Sequence, residues 1–280
     1  MTIGEAFERF IFDEIKLRNG ADKTARNYSS VLNSFVTACG DVPVELITYD
    51  TIIRWKMYMD STGNQPSSMS SSLSKLRQVF RYLIRHSVKV IDPRDIELPK
   101  VFVKEAEWLT VKEIRAMLDS ASSLRDKALI SALFSSGGRV SEVLSLDRDS
   151  IQNNKAQVVG KGSKLITLYF DDSAMKHINA YLESRSDKLK PLFISGQYRR
   201  ITVSRVEQIM HILAGEAVIE KNVTPHVFRH SFATDLLTNG ADVIVAKELL
   251  NHSSVQTTQR YLHVATSRKE QSYAQKHTKL

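Results

Sequence analysis

What most constrains the fold of this chain is a loss of periodicity part-way along it. Up to that point apolar residues recur at helical spacing. Phe7, Phe10 and Ile11 form one face, and Tyr28, Leu32 and Phe35 repeat it with Gly40 as a stop. A third helix follows in TYDTIIRWKMYMD, and a fourth turns Leu73, Leu76, Phe80 and Leu83 inward. In VIDPRDIELPKVFVKEAEWLT the repeat stops, and two prolines with mixed charge mark a linker. Helical patterns then resume, opened by Thr110 with Glu113 as a capping box. They are interrupted by AQVVGKGSKLITLYF, which alternates around Gly160-Lys161-Gly162 as a β-hairpin would. The 280 residues are comfortable for two domains. The expected organisation is a helical domain over residues 1–90, a linker over 91–108, and a second domain over 109–280. The fold class is mostly α with a small antiparallel β-sheet in the C-terminal domain.

Charge narrows the partner. The formal net charge is +8, which favours a polyanion, nucleic acid before membrane. On the fourth helix Arg77, Arg81 and Arg85 recur every four residues as a cationic stripe. That stripe is either a solvated face or a phosphate contact, and the hydroxyl-rich run Ser67 to Ser72 at the helix start favours phosphate. Cys39 is the single cysteine, which excludes a disulfide scaffold and a cysteine-rich zinc site. No apolar run reaches the ~20 residues of a membrane span, and the amphipathic, acidic start is unlike a signal peptide. A soluble protein of the cytoplasm is expected.

The chemistry-bearing residues lie towards the C-terminus. Tyr261, in a polar stretch between Arg260 and His263, is either a packing residue or a nucleophile. A phenol with a pKa near ~10 needs a proton acceptor or a positive field to attack a phosphodiester. The transition state adds negative charge to the non-bridging oxygens, which calls for preorganised arginines, and the leaving 5′ oxygen needs a proton that a lysine can donate. Candidates for each part are present. Arg139 follows the Gly137-Gly138 break at a helix start. Lys161 occupies the hairpin turn, with Lys164 as a competitor. His226 and Arg229 lie three apart after the helix-start pair Thr224-Pro225, and His252 sits in a turn ahead of Tyr261. Each also has an ordinary structural reading, such as pairing of Arg139 with Glu142. His226, His230 and His252 could be considered for a metal, but no carboxylate or cysteine completes such a set, so none is expected.

Together these segments resemble one family. HVFRHSFATDLLTNGADVIVAKELLNHSSVQTTQRYLHV resembles the C-terminal signature of tyrosine recombinases, the phage-integrase family that includes the Xer proteins. GGRVSEVLSLDRDSI is similar to its first arginine motif, VVGKGSKLITLYF to its lysine hairpin, and the DKTARNY and SLSKLRQVFRYL helices to its core-binding domain. The resemblance implies a SAM-like helical domain followed by a tyrosine-recombinase catalytic domain. It implies Arg139 and Arg229 as catalytic arginines, Lys161 as general acid, His226 and His252 as the histidines and Tyr261 as nucleophile. Arg77, Arg81 and Arg85 of the cationic stripe, together with Lys164, are the expected DNA contacts. Two positions depart from the family pattern: Asn251 stands before the second histidine where glycine is usual, and Ser136-Gly137-Gly138 stands where Thr-Gly-Leu is usual. The implied reaction is site-specific cutting and rejoining of double-stranded DNA through a 3′-phosphotyrosine, with no cofactor, neither ATP nor magnesium. The implied assembly is a tetramer on two DNA sites, with a paralogous or accessory protein as a further partner. The stretch TSRKEQSYAQKHTKL would be either a helix passed to a neighbour or a basic tail. Two other functions remain open at this stage: a type IB topoisomerase-like enzyme, and an architectural DNA-binding factor without catalysis.

Overall fold

The computed structural model describes residues 1–18, 22–101, 107–160 and 164–250. The chain divides into two compact units, Met1–Lys104 and Glu105–Leu280.

The first unit is helical among its described residues. Helix α1 (Ile3–Phe10) is capped by Thr2 and Glu5, each satisfying the other's backbone N–H, and continues as a π-helical turn over Ile11–Lys16. Helix α2 (Asp22–Cys39) ends where Gly40 takes a left-handed φ of +82°. Helices α3 (Tyr49–Ser61) and α4 (Pro66–Arg85) follow, the latter started by a proline that has no N–H to leave unsatisfied. Phe7, Phe35, Trp55, Phe80 and Tyr82 are fully buried where these helices meet. The polar ends of the large aromatics are satisfied: Trp55 Nε1 donates to Ser34 Oγ at 3.0 Å and the Tyr82 hydroxyl donates to Asp13. The proline-containing segment after α4 is not a free tether throughout. It makes a short helical turn at Pro93–Asp95, and Ile96 is fully buried in the first unit's core. Apolar side chains at that spacing were worth burying, and the prolines shape the turn rather than release the chain.

The second unit is built of helices with one hairpin packed among them. Helix α5 (Val111–Ser120) has the expected Thr110–Glu113 capping box. Helix α6 (Leu124–Ser136) is apolar on nearly every side, and it packs against α8 (Asp172–Glu183) and α10 (Pro225–Thr238). Between them run α7 (Val140–Ser145) and strands β1 (Lys155–Val159) and β2 (Leu165–Tyr169). The strands pair antiparallel, with Val159 opposite Leu165. Ala156, Val158, Ile166 and Leu168 face the core while their neighbours face outward, the alternation a half-buried ribbon requires. Helices α9 (Val203–Glu216) and α11 (Val243–Leu249) complete the described part. The fold class expected from periodicity, mostly helical with one small antiparallel sheet, is the one observed.

Candidate active site

Gly137 and Gly138 make the turn from α6 into α7, and each has a steric reason to be glycine. Gly137 has φ +56°, and a Cβ there would lie 2.2 Å from a ring carbon of Phe232 on α10. A Cβ on Gly138 would lie 2.9 Å from Leu168 on β2. The close approach at this pair is therefore to the protein's own helix and strand. Ser136 ties the turn from inside, donating to the Ala132 carbonyl at 2.6 Å and accepting from the Gly138 N–H at 3.2 Å.

Arg139 follows as the N-cap residue of α7. The carboxylate of Glu142, only 4% exposed, accepts from the Arg139 backbone N–H at 2.8 Å and from its guanidinium at 2.7 Å. One buried carboxylate thus fixes both the backbone and the side chain of a cation that is itself 36% exposed. The ordinary reading of Arg139, a pair with Glu142, is what the structure contains. It leaves most of the five N–H groups of the fork to point elsewhere.

Arg229 lies on α10, whose start is capped by Thr224 and set by Pro225. It is 6% exposed. Its Nη1 donates to the Gly137 carbonyl at 2.9 Å, across 92 residues of sequence, and its Nη2 donates to the carbonyl of Leu250. One guanidinium therefore joins the turn that carries Arg139 to the last described residue before Asn251 and His252. His226 is exposed on the first turn of the same helix. His230, its neighbour one turn on, is buried edge-on against Trp108 with ring centroids 6.3 Å apart.

A second set of contacts ties α10 and the segment that precedes it to the opening of the unit. The Leu109 N–H donates to Ser231 Oγ at 2.7 Å, and Lys221 donates to the Trp108 carbonyl at 3.0 Å and to Glu113 at 2.9 Å. Burial pushes the Glu113 carboxyl up, but the bonds from Lys221 and Thr110 outweigh it and hold the group below the ordinary glutamate value.

Of the remaining residues singled out from sequence, Lys164 is exposed at the base of the hairpin loop, where its carbonyl accepts from the Gly160 N–H at 2.8 Å. Lys161, His252 and Tyr261 lie outside the described residues. In the first unit the arginine stripe is not uniform. Arg77 Nε donates to the Ile96 carbonyl at 2.7 Å, Arg85 pairs with Glu14 at 3.0 Å, and Arg81 is exposed. Sequence reasoning missed the buried partners: the carbonyl targets of Arg229, the fit of Phe232 over Gly137, and the double role of Glu142. Only the last had a local signal, its position three residues after Arg139.

A model described as the phage integrase family matches residues 107–268, and one for the phage integrase SAM-like domain matches residues 6–97. The chain belongs to the phage integrase family. Within that family it is a tyrosine recombinase, an enzyme that breaks and rejoins DNA at specific sites. Similar proteins include tyrosine recombinase XerD of Oceanobacillus iheyensis, 32% identical over 97% of this chain and 98% of that protein. Tyrosine recombinase XerC of Leptospira interrogans is 30% identical over 99% of this chain and 94% of that protein. Among solved structures, XerA recombinase is 25% identical with a TM-score of 0.55, covering 99% of both chains. The Tn1549 transposon integrase in complex with transposon right end DNA has the same fold, with a TM-score of 0.80 at 15% identity over 97% of this chain and 99% of that one. In this integrase-family chain the Arg139 turn, the hairpin and the Arg229 helix all belong to the second unit, though they come from widely separated stretches of sequence.

Proposed function

We propose that this recombinase cleaves DNA with Tyr261 as nucleophile, in a pocket whose anion-holding groups are Arg139, Arg229 and His252. The Tyr261 oxygen bonds to phosphorus as the bond from phosphorus to the 5′ oxygen breaks. His226 accepts the phenol proton, and Lys161 protonates the departing oxygen. The product is a 3′-phosphotyrosine and a free 5′-hydroxyl, and attack by a hydroxyl from a partner strand reverses the step. Because the phosphodiester energy is kept in the protein–DNA link, the cycle is balanced without ATP or magnesium. Arg139 and Arg229 stabilise the charge that grows on the non-bridging oxygens, the largest expected share of the catalysis.

The observation that carries this reading is the pair of carbonyl bonds made by Arg229, to Gly137 and to Leu250. They draw the Arg139 turn and the chain entering the His252–Tyr261 segment towards one buried cation. Residues 1–90 and 109–280 act as the DNA-binding and catalytic domains, joined through 91–108. Arg81 and Lys164 are the better placed contacts to phosphate, since Arg77 already serves the Ile96 carbonyl and Arg85 would have to leave Glu14. Four copies acting on two sites in the cytoplasm, with a paralogue or accessory protein, complete the proposal. No helix among the described residues is long and apolar enough to cross a membrane.

The test is covalent capture. Fragments of the source genome, nicked so that the short cleaved strand diffuses away, are incubated with the protein and resolved under denaturing conditions. Wild type forms a protein–DNA adduct, whereas Tyr261→Phe binds duplex and forms none. An adduct from the Phe variant would remove Tyr261 from this role.

A further inference from the structure

The geometry points to Arg200 as a positioning residue that acts on DNA cleavage through helix α7 and Arg139. This rests on the catalytic role proposed above for Arg139. Helix α7 is six residues long, too short to hold its own conformation, so its orientation depends on tertiary contacts: the burial of Val143 and Leu144, and what grips its two ends. At the N-terminal end the grip is Glu142, bonded to the backbone and side chain of Arg139. At the C-terminal end the last carbonyls have no partner within the helix and need donors from elsewhere. Ser145 Oγ supplies one to the Glu142 carbonyl at 2.7 Å, and the Leu146 N–H reaches the Val143 carbonyl at 3.3 Å.

Arg200 serves the Leu144 carbonyl and shares the Leu146 carbonyl with the Leu192 N–H, which donates to it at 2.9 Å. Its Nη1 donates to the Leu144 carbonyl at 2.6 Å and to the Leu146 carbonyl at 2.8 Å, while its Nη2 pairs with Asp147 just beyond the helix. A cation on the carbonyl end and a carboxylate at the amide end both match the helix dipole. Arg200 is itself held. It closes a tight loop in which the Ser195 N–H donates to the Arg199 carbonyl at 2.7 Å, and Phe193 and Ile201 on either side are buried in the core. The fork shape of the guanidinium matters, because a lysine offers a compact point charge and could not cover two carbonyls and a carboxylate in this arrangement. Arg200 lies far along the sequence from the residues that would touch phosphate, and its effect is to keep the short helix from swinging Arg139 off target.

Two measurements on the full-length protein test this. In hydrogen exchange, Arg200→Met raises exchange in peptides covering residues 139–147 by about tenfold or more, with the remaining second-unit peptides unchanged. In single-turnover capture at saturating DNA, Arg200→Met slows adduct formation about 10- to 100-fold while duplex Kd stays within about twofold, because a small misplacement costs rate rather than binding. Arg200→Lys, the variant to use if Arg200→Met does not fold, falls between the two in both measurements. In an Arg139→Lys background the added loss of rate from Arg200→Met disappears, since the residue it positions is already impaired. Unchanged exchange over 139–147 overturns the inference whatever the enzyme does. So does a rate loss of equal size in both backgrounds, or a rate loss matched by weaker DNA binding, which would make Arg200 a DNA contact. Raised exchange with a wild type that forms no adduct leaves the grip on α7 standing and sinks the catalytic reading instead.

Discussion

At the scale of single residues, the two arginines at the candidate site differ in what they do for the fold. Arg139 is 36% exposed and bonded to one carboxylate, whereas Arg229 is 6% exposed and committed to two backbone carbonyls. Lysine at either position keeps the charge and loses the planar fork. Arg139→Lys is therefore expected to leave the denaturation midpoint nearly unchanged and to slow covalent adduct formation by about 10²–10³, the usual cost of one oxyanion donor. Arg229→Lys is expected to lose a similar factor in rate and, in addition, about 1–3 kcal/mol of stability, because one buried carbonyl is left without its donor. Urea unfolding beside single-turnover capture separates the two. Equal destabilisation by both substitutions would mean that burial does not distinguish their roles. The stripe on α4 divides in the same way. Arg81→Gln is expected to reduce the slope of log K against log salt for duplex binding by about 0.9, one phosphate contact. Arg77→Gln instead exposes its cost in stability, since its Nε serves the Ile96 carbonyl.

At the scale of elements, the turn from α6 into α7 shows why a glycine is needed there. Gly137→Ala has to place a side chain at φ +56° and 2.2 Å from the ring of Phe232. The left-handed backbone costs roughly 1–2 kcal/mol and the overlap a further ~1–3 kcal/mol. The double variant Gly137→Ala with Phe232→Leu is expected to recover part of the second cost and none of the first, which thermal unfolding of the three proteins will show. A pH effect belongs to the segment after α8. The Arg185 fork, with help from the Leu189 N–H, outweighs desolvation and holds the Asp187 carboxyl far below its ordinary value of 3.8. Because the folded-state value is depressed, the stability this pair contributes is present above that ordinary value and is lost as the pH falls through the lower folded one. Asp187→Asn is expected to lower Tm by a constant amount from pH 7 to about pH 5, with the gap to wild type closing at more acid pH. A gap that does not change with pH would show that charge plays no part. Local patterns made much of this architecture legible beforehand: the Thr110–Glu113 box, Thr224-Pro225, the stop at Gly40 and the alternation of the hairpin each act within a few residues. What the pattern could not show were contacts between distant segments. Arg229 reaching Gly137, and Arg200 reaching Leu144 across 56 residues, carry no periodic trace, because they depend on which carbonyls the folded chain leaves unpaired.

At the scale of the whole molecule, each unit buries its own set of large side chains. Trp55 is fully enclosed in the first, among Phe35 and its neighbours, and its indole N–H is satisfied by Ser34 within the same unit. Phe193 is fully enclosed in the second and stacks on Tyr181 at 6.0 Å. A core complete within one unit should lose cooperativity as one unit. Calorimetry of the full chain without DNA is accordingly expected to resolve two transitions. Trp55→Ala, which removes about 3–5 kcal/mol of core stability, should lower one of them and leave the other in place, and Phe193→Ala should do the converse. Addition of duplex DNA should raise both midpoints if each unit holds DNA, since a ligand that binds the folded form of a unit stabilises that unit in proportion to its affinity. Raising the salt should then bring both back towards their DNA-free values, because displaced counterions drive much of the binding of a chain with net charge +8 to phosphate. A single transition that both core substitutions lower together would show that the units fold as one cooperative body, and a midpoint that DNA leaves unmoved would remove its unit from the binding surface.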